Sequence, residues 1–298
     1  MDGQRVIGVD LGGTKILAGI VDRDGKIERR REHLTPVTSQ DELLAGLAAS
    51  VQELLDDGIG AIGLGIPSPI DQVTGRAHQA VNIPLSESFP IRDWISERFD
   101  LPVGIENDAN AATYAEYYFG AGREAHTIVM LTLGTGCGGG AVIDGNLFRG
   151  WAEFGHIVIV FDGIPCQGTC TGRGHLEPYV TGLAATKLAQ AEFGPAVDSH
   201  RLVRLADEGD ARAVEILAGI GRYLGAGIGS LVNIFNPDLV IVGGGFAAAG
   251  DFILDPAREI AAREGLAGAG KRARIVRAEL GTAAGLIGAA LVGFDALA

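Results

Sequence analysis

Positive charge is in short supply in this chain: 24 Lys and Arg stand against 37 Asp and Glu, for a formal net charge of −13. Such a surface repels nucleic acid and anionic membrane. Any affinity for phosphate must then be local, made from backbone N–H groups, a metal and helix ends. Cysteine is scarcer still. Cys137, Cys166 and Cys170 are odd in number, and the start MDGQRVIGVD lacks the apolar run of a secretory leader. Both features argue for reduced thiols and a cytoplasmic protein, against a disulfide framework. A clean apolar span is also missing. The longest candidate, AVEILAGIGRYLGAGIGSLVNIF, is interrupted by Arg222 and Asn233. A buried helix with a glycine-lined close contact fits it better than a membrane crossing.

What the chain does have is length and repetition. At 298 residues it exceeds one ordinary core, and two domains are expected. VIGVD (6–10) and KILAGIVD (15–22) read as strands joined by the turn LGGT and followed by the hairpin turn RDGK. Residues 127–145 replay this pattern as TIVMLTL, GTG, CGGGAVID and DGN, which suggests duplicated halves, each opening with a hairpin. Two unrelated hairpins with ordinary turn residues are the alternative. Helices then alternate with strands: a helix over 39–58, a strand over 61–67, a helix over 91–100, a long helix near 209–234, a strand over 238–245, and helices near 251–263 and 282–294. The alternation predicts an α/β architecture with mostly parallel strands. FGAGRE near residue 120 marks the expected boundary. It separates a small domain, 1–120, joined by the last helix, 283–298, from a large domain, 121–282.

Four loops could handle phosphate or alcohols. In Asp10-Leu-Gly12-Gly13-Thr14-Lys15 the glycines let the backbone approach oxygen-rich ligands, and Asp10 could hold Mg²⁺ through water. It matches neither the P-loop nor the dinucleotide fingerprint, and alone it reads equally as a turn. Thr132-Leu-Gly134-Thr135-Gly136 is its counterpart in the repeat, and two such turns could grip a polyphosphate chain. Gly243–Phe246, including Gly244 and Gly245, follows an apolar strand, where open α/β sheets bind nucleotides; a tight strand-to-helix turn is the plainer reading. The fourth is LPVGIENDANAATYAE (101–116), with Glu106, Asn107 and Asp108 between a strand and a helix. Asp108 suits an N-cap. A carboxylate at a helix N-terminus is also expected to stay ionised, and could then take a proton from an alcohol. Glu106 reads as a turn residue and Lys15 as a phosphate neighbour.

The most specific stretch runs from Glu153-Phe-Gly-His156 through Cys166-Gln-Gly-Thr-Cys170 to His175-Leu-Glu177. Two Cys and two His within twenty residues on a Gly- and Thr-rich loop have the ligand types and count of a Zn²⁺ site. Cys137, inside a glycine-rich strand, reads as core.

VDLGGTK, ENDANAA, LGTGCGGG, AEFGH and the Cys/His loop ending in LE resemble the ROK family, in particular its bacterial glucokinase-type sugar kinases, through nearly the whole chain. The resemblance implies two duplicated actin/hexokinase-like (ribonuclease H-like) α/β domains with a cleft between them, and ATP-dependent phosphorylation of a hexose 6-hydroxyl, most simply glucose in carbohydrate metabolism. It implies Asp108 as general base, and Asn82, Asn107, Glu153, His156 and Glu177 with it as sugar contacts. Asp10, Gly12, Gly13, Thr14, Lys15, Thr132, Gly134, Thr135, Gly136, Gly244 and Gly245 would bind Mg-ATP. His156, Cys166, Cys170 and His175 would hold a structural Zn²⁺ that orients a sugar contact. The Trp that often follows the family's Asn is absent after Asn82. The common zinc pattern, C-x-C-G-x-x-G-C-x-E, is also altered: three residues separate Cys166 from Cys170, and His175 replaces the last Cys. Cys₂His₂ is still an accepted tetrahedral set.

Some relatives are repressors with an N-terminal helix-turn-helix; with only a few residues before DLGGTK, none is expected here. A sugar-binding regulator without catalysis would be expected to show a damaged base or phosphate turn, and Asp108, Gly12, Gly13 and Thr14 are all present. N-acetylmannosamine, fructose, glucosamine or allose could replace glucose, and polyphosphate could replace ATP, although the acidic surface argues against a long polyanion. Relatives are commonly dimers or tetramers, so a homo-oligomer is expected, with no membrane or nucleic-acid partner.

Overall fold

The computed structural model describes residues 4–78, 80, 82–268 and 272–297, which divide into two compact units. The first runs to Gly120 and includes Arg149–Trp151 and the chain from Thr282 onward; the second holds Ala121–Phe148 and Ala152–Gly281.

In the first unit, β1 (Arg5–Leu11), β2 (Lys15–Val21) and β3 (Ile27–Leu34) form an antiparallel meander. Helix α1 (Gln40–Gln52) follows, its N-terminus capped by the Ser39 hydroxyl accepting from the Glu42 N–H. It ends six residues before the expected 58. Asp56 is taken up by Arg5 and Arg29, each at 2.6 Å, and by the N–H of Gly58, so this stretch turns into the next strand. β4 (Ile59–Ile66), a small ribbon of β5 (Ile70–Asp71) and β6 (Arg76–Ala77), α2 (Ile91–Phe99), β7 (Val103–Asn107) and α3 (Asp108–Phe119) complete the run. The sheet order is β3-β2-β1-β4-β7, with β1, β4 and β7 parallel. The sheet is therefore mixed, and not mostly parallel. Short turns such as LGGT can only join antiparallel neighbours.

A row of glycines explains how the unit closes. Gly19, Gly8, Gly63 and Gly104 stand in register across β2, β1, β4 and β7. The C-terminal helix, Ala284–Asp295, lies on that row. A Cβ at Gly8, Gly63 or Gly104 would strike the carbonyl oxygens of Leu286, Ala289 or Val292. Close backbone approach is why a strand keeps glycine here. On its other side the helix packs against α3, where Gly288 meets the Ala111 carbonyl.

The second unit repeats the topology. β8 (Ile128–Leu133), β9 (Cys137–Ile143) and β10 (Asn146–Leu147) form the meander; β11 (Leu239–Gly243) and β12 (Arg274–Arg277) add in parallel, for the order β10-β9-β8-β11-β12. Between β10 and β11 lie α4 (Glu177–Val180), α5 (Gly182–Phe193), α6 (Ser199–Asp207) and α7 (Ala211–Phe235), and α8 (Asp251–Glu264) follows β11. α7 is the glycine-rich segment. Its Gly221 and Gly225 let it close on the backbone of α8 at Ile253 and Ala257, and among the described residues no helix is long and apolar enough to cross a membrane. Identical strand order and sense in both sheets is what a duplication produces.

Candidate functional site

In the first unit the chemistry gathers at the carboxyl ends of β1 and β7, where open α/β sheets bind ligands. The sheet delivers Asp10 near the end of β1 and Asn107 at the end of β7. Asn107, not Asp108, caps α3: its Oδ1 accepts from the N–H groups of Ala109 and Asn110, each at 3.0 Å. Asp108 is the first helical residue and its Oδ1 also accepts from the Ala109 N–H, at 2.8 Å. The cap and the candidate base are thus neighbouring residues with separate jobs.

Burial pushes the Asp108 carboxyl above the ordinary carboxylate range, and the hydrogen bonds from Ala109 and Asn107 offset this only in part. Desolvation of the charge thus acts against the favourable effect of the helix N-terminus on the ionised form of Asp108. Asp10 is pushed up to about 7, first by burial and then by the neighbouring Asp108, with Lys15 acting the other way. The LGGT turn is closed by the Gly12 N–H on the Lys15 carbonyl at 2.9 Å and fastened by the Thr35 hydroxyl, which donates to the Gly12 carbonyl at 2.6 Å. Lys15 pairs with Glu32 at 3.1 Å. Asn82 is exposed and lies over Gly13, where a Cβ would come within 3.1 Å of the Asn82 Cβ.

In the second unit, Glu153 leads a single 3₁₀ turn, Phe154–His156. The N–H of Cys137 donates to Glu177 Oε2 at 2.8 Å, which fixes that carboxylate at the start of α4. Cys137 itself is buried, as expected of a core residue. His156, Cys166, Cys170 and His175 come together, with one ligand atom from each within 4.8 Å of all the others. Nδ1 of His156 lies 3.2 Å from Nδ1 of His175 and 3.7 Å from the Cys166 sulfur; the Cys170 sulfur is 3.6 Å from Nδ1 of His175. The rings stand edge to face at 89°. Gly172 makes room for the His175 ring, into which a Cβ would run. Burial pushes the Cys166 thiol up to about 11.

A cavity of about 490 Å³ opens in the second unit and is lined by both expected turns, through Gly134, Thr135 and Gly245. Gly244 has φ +84°, and a Cβ there would meet the Leu133 backbone, so the turn after β11 sits against the end of β8. The rest of the lining was not foreseen: Gly182, Leu183 and Thr186 of α5, Ser199, His200, Val203 and Arg204 of α6, and Phe246. Neither helix is among those that the sequence pattern predicts. For α6 the signal was present, in Asp198 as a cap accepting from the Arg201 N–H and in Leu202 and Ala206 buried four residues apart. α5 is polar and apolar in no clear rhythm.

The model of the ROK family matches residues 6–294. A glucokinase of Streptomyces coelicolor is 35% identical, covering 95% of this chain and 96% of that protein. An N-acetyl-D-glucosamine kinase of Pectobacterium carotovorum is 32% identical, covering 96% and 97%. The crystal structure of a ROK family glucokinase from Streptomyces griseus in complex with glucose and AMPPNP superposes with a TM-score of 0.85 at 35% identity, covering 98% of this chain and 99% of that one. With one continuous match from the first strand to the last helix, and the actin/hexokinase-like pairing of two like sheets, this chain belongs to the ROK family.

Proposed function

We propose that this protein is an ATP-dependent hexose kinase that phosphorylates the 6-hydroxyl of glucose. The observation that carries the proposal is the division of labour at α3: Asn107 holds the helix terminus, and Asp108 beside it keeps a carboxylate whose basicity is raised by burial. A general base works best with a pKa moved toward the working pH. Asp108 takes the proton of the acceptor hydroxyl as that oxygen attacks the γ-phosphorus; ADP leaves, and the sugar phosphate and a proton are the other products.

Asn82, Asn107, Glu153, His156 and Glu177 are assigned to the sugar hydroxyls. Holding several of them rejects an epimer, which would leave buried polar groups unpaired. The nucleotide is assigned to the turns at Gly12–Thr14, Thr132–Gly136 and Gly244–Gly245. Support for a nucleotide over polyphosphate comes from the cavity of the second unit, whose Leu183, Val203 and Phe246 suit an aromatic base. Asp10 and Asp108, two buried carboxylates of which Asp108 raises the proton affinity of Asp10, are hard oxygen donors of the kind Mg²⁺ takes. The ion would neutralise charge on the phosphates. ATP supply and thiol-reducing conditions both put such an enzyme in the cytoplasm.

Zinc fits the four-residue cluster. Bonds of about 2.0–2.1 Å to nitrogen and about 2.3 Å to sulfur give tetrahedron edges of roughly 3.3–3.8 Å; the spacings of 3.6 and 3.7 Å fall within that range and the 3.2 Å between the two Nδ1 atoms lies just below it. Zn²⁺ on Nδ1 would leave Nε2 of His156 for a sugar oxygen.

A second acceptor, N-acetylglucosamine, is favoured by the 32% identical kinase. The test is a panel of glucose, N-acetylglucosamine, N-acetylmannosamine, fructose, glucosamine and allose with ATP and polyphosphate in parallel, following sugar phosphate. Glucose with ATP should give the highest kcat/KM. Preference for the N-acetyl sugar would select the second acceptor, and no phosphate transfer to any hexose would sink the proposal.

A further inference from the structure

Glu106 is the penultimate residue of β7, only 2% exposed, and the chemistry above leaves it without a task. A carboxylate buried to that degree stays charged only if it is paired or well hydrogen-bonded. Four donors converge on it. Oε1 accepts from the backbone N–H of Asn107 at 2.9 Å and from Asn110 Nδ2 at 3.2 Å. Oε2 accepts from Gln72 Nε2 at 3.1 Å and Arg149 Nε at 3.4 Å. Arg149 also reaches Asp295 of the C-terminal helix through Nη2, at 3.3 Å.

The two oxygens have distinct targets. Oε1 grips the residue that caps α3 and also Asn110, whose N–H is one of the groups being capped. Oε2 ties that grip to two elements outside the strand–helix junction. With the Asn107 N–H held, its Oδ1 sits at the helix terminus and accepts from Ala109 and Asn110, so Asp108 need not take over the cap. We propose that Glu106, braced by Arg149, is a positioning residue for phosphoryl transfer, locking Asn107 as the cap so that Asp108 faces the acceptor hydroxyl. This rests on the reading of Asp108 as the base.

Steady-state kinetics of Glu106→Gln, Arg149→Met, the double variant and Asp108→Asn test it. Gln keeps the shape and one acceptor but loses the charge for Arg149. Glu106→Gln should lower kcat by about 10- to 100-fold with a raised sugar KM, since small misplacement of a reacting group costs about that much; the ATP KM should stay within about twofold. Arg149→Met should move the same constants in the same direction, Arg149→Lys should recover part of the loss, and the double variant should be no worse than the more severe single one. Should Glu106→Gln fail to fold, Arg149→Met and Arg149→Lys carry the same readout from a half-exposed position. Folded variants with the parent's kcat and sugar KM, or with changes only in Tm or ATP KM, would overturn the proposal. Near-parent turnover in Asp108→Asn would overturn the base assignment itself, whereas an inactive Asp108→Asn beside unaffected Glu106 and Arg149 variants overturns the positioning role alone.

Discussion

The two sheets have the same strand order and the same sense at every pairing, yet their strand ends carry opposite chemistry. The next-to-last residue of β1 is Asp10, and that of β8 is Thr132. β7 runs into Asn107 and Asp108, while β11 runs into Gly243 and Gly244. Thus the first unit concentrates two mutually repelling carboxylates with raised pKa values. The second offers neutral turns and a cavity whose small and apolar lining is joined by His200 and Arg204, with no carboxylate among its lining residues. Open α/β sheets bind ligands at the carboxyl ends of their strands, and under the proposed function single residues at that edge would decide whether it handles a proton and a cation or a nucleotide.

The largest effect should come from breaking the acidic side. Asp108→Asn should lower turnover by on the order of 10²–10⁴ with the fold intact, since one general base supplies about that much; stopped turnover assays alongside circular dichroism check this. On the neutral side, Thr135→Asp puts a carboxylate on the cavity wall. It should raise the ATP KM by about tenfold or more through like-charge repulsion, with a smaller change in sugar KM.

Next in size is packing. Gly63→Ala drives a Cβ into the Ala289 carbonyl and should destabilise by about 3 kcal/mol or more, as overpacking against backbone cannot relax cheaply. Gly245→Ala in the second unit meets open space and should stay within about 0.5 kcal/mol. Urea unfolding of both variants sets the two glycine roles apart.

Chelation, or Cys166→Ser with Cys170→Ser, should remove bound zinc measured by metal analysis, lower Tm and raise the sugar KM, because His156 loses its anchor. A purified parent protein without zinc would end that assignment.

The last contrast between the two units is in the pH dependence of stability. Asp10 has its folded pKa raised from 3.8 to about 7. The native state therefore holds a proton that the unfolded state has lost over that interval, so this contribution is complete below pH about 4 and gone by about 7. Asp10→Asn should flatten the decline, measured by thermal unfolding without Mg²⁺ between pH 4 and 8. The carboxyl ends of β8 and β11, Thr132–Leu133 and Gly243, carry no carboxylate and contribute no such slope.

Much of this was legible from residue order. Apolar runs bounded by Gly-Thr turns gave both hairpins, and the interval from His156 to His175 announced a ligand set before any fold was known. Other features were hidden for identifiable reasons. Nothing local distinguishes Asp108 from Asn107 as the cap, since both residue types cap well; the backbone of Asn107 at φ −63°, ψ 144° makes the choice. Glu106 looked like a turn residue because its donors, Gln72, Asn110 and Arg149, lie up to 43 positions away. α1 ends six residues before the expected 58 because Arg5 and Arg29 claim Asp56 for a turn, which no local pattern shows.

By itself, the order of residues determined the local alphabet: where strands end, which turns are glycine-rich, which side chains can ligate, and to which family the chain belongs. Those are matters of neighbours, settled by periodicity and by short-range backbone sterics. Tertiary structure alone decided the electrostatics of Asp10 and Asp108, the convergence of both Nδ1 atoms on two sulfurs, and the glycine row that admits the C-terminal helix. Desolvation and close packing depend on groups distant in the chain, so no stretch of it contains them.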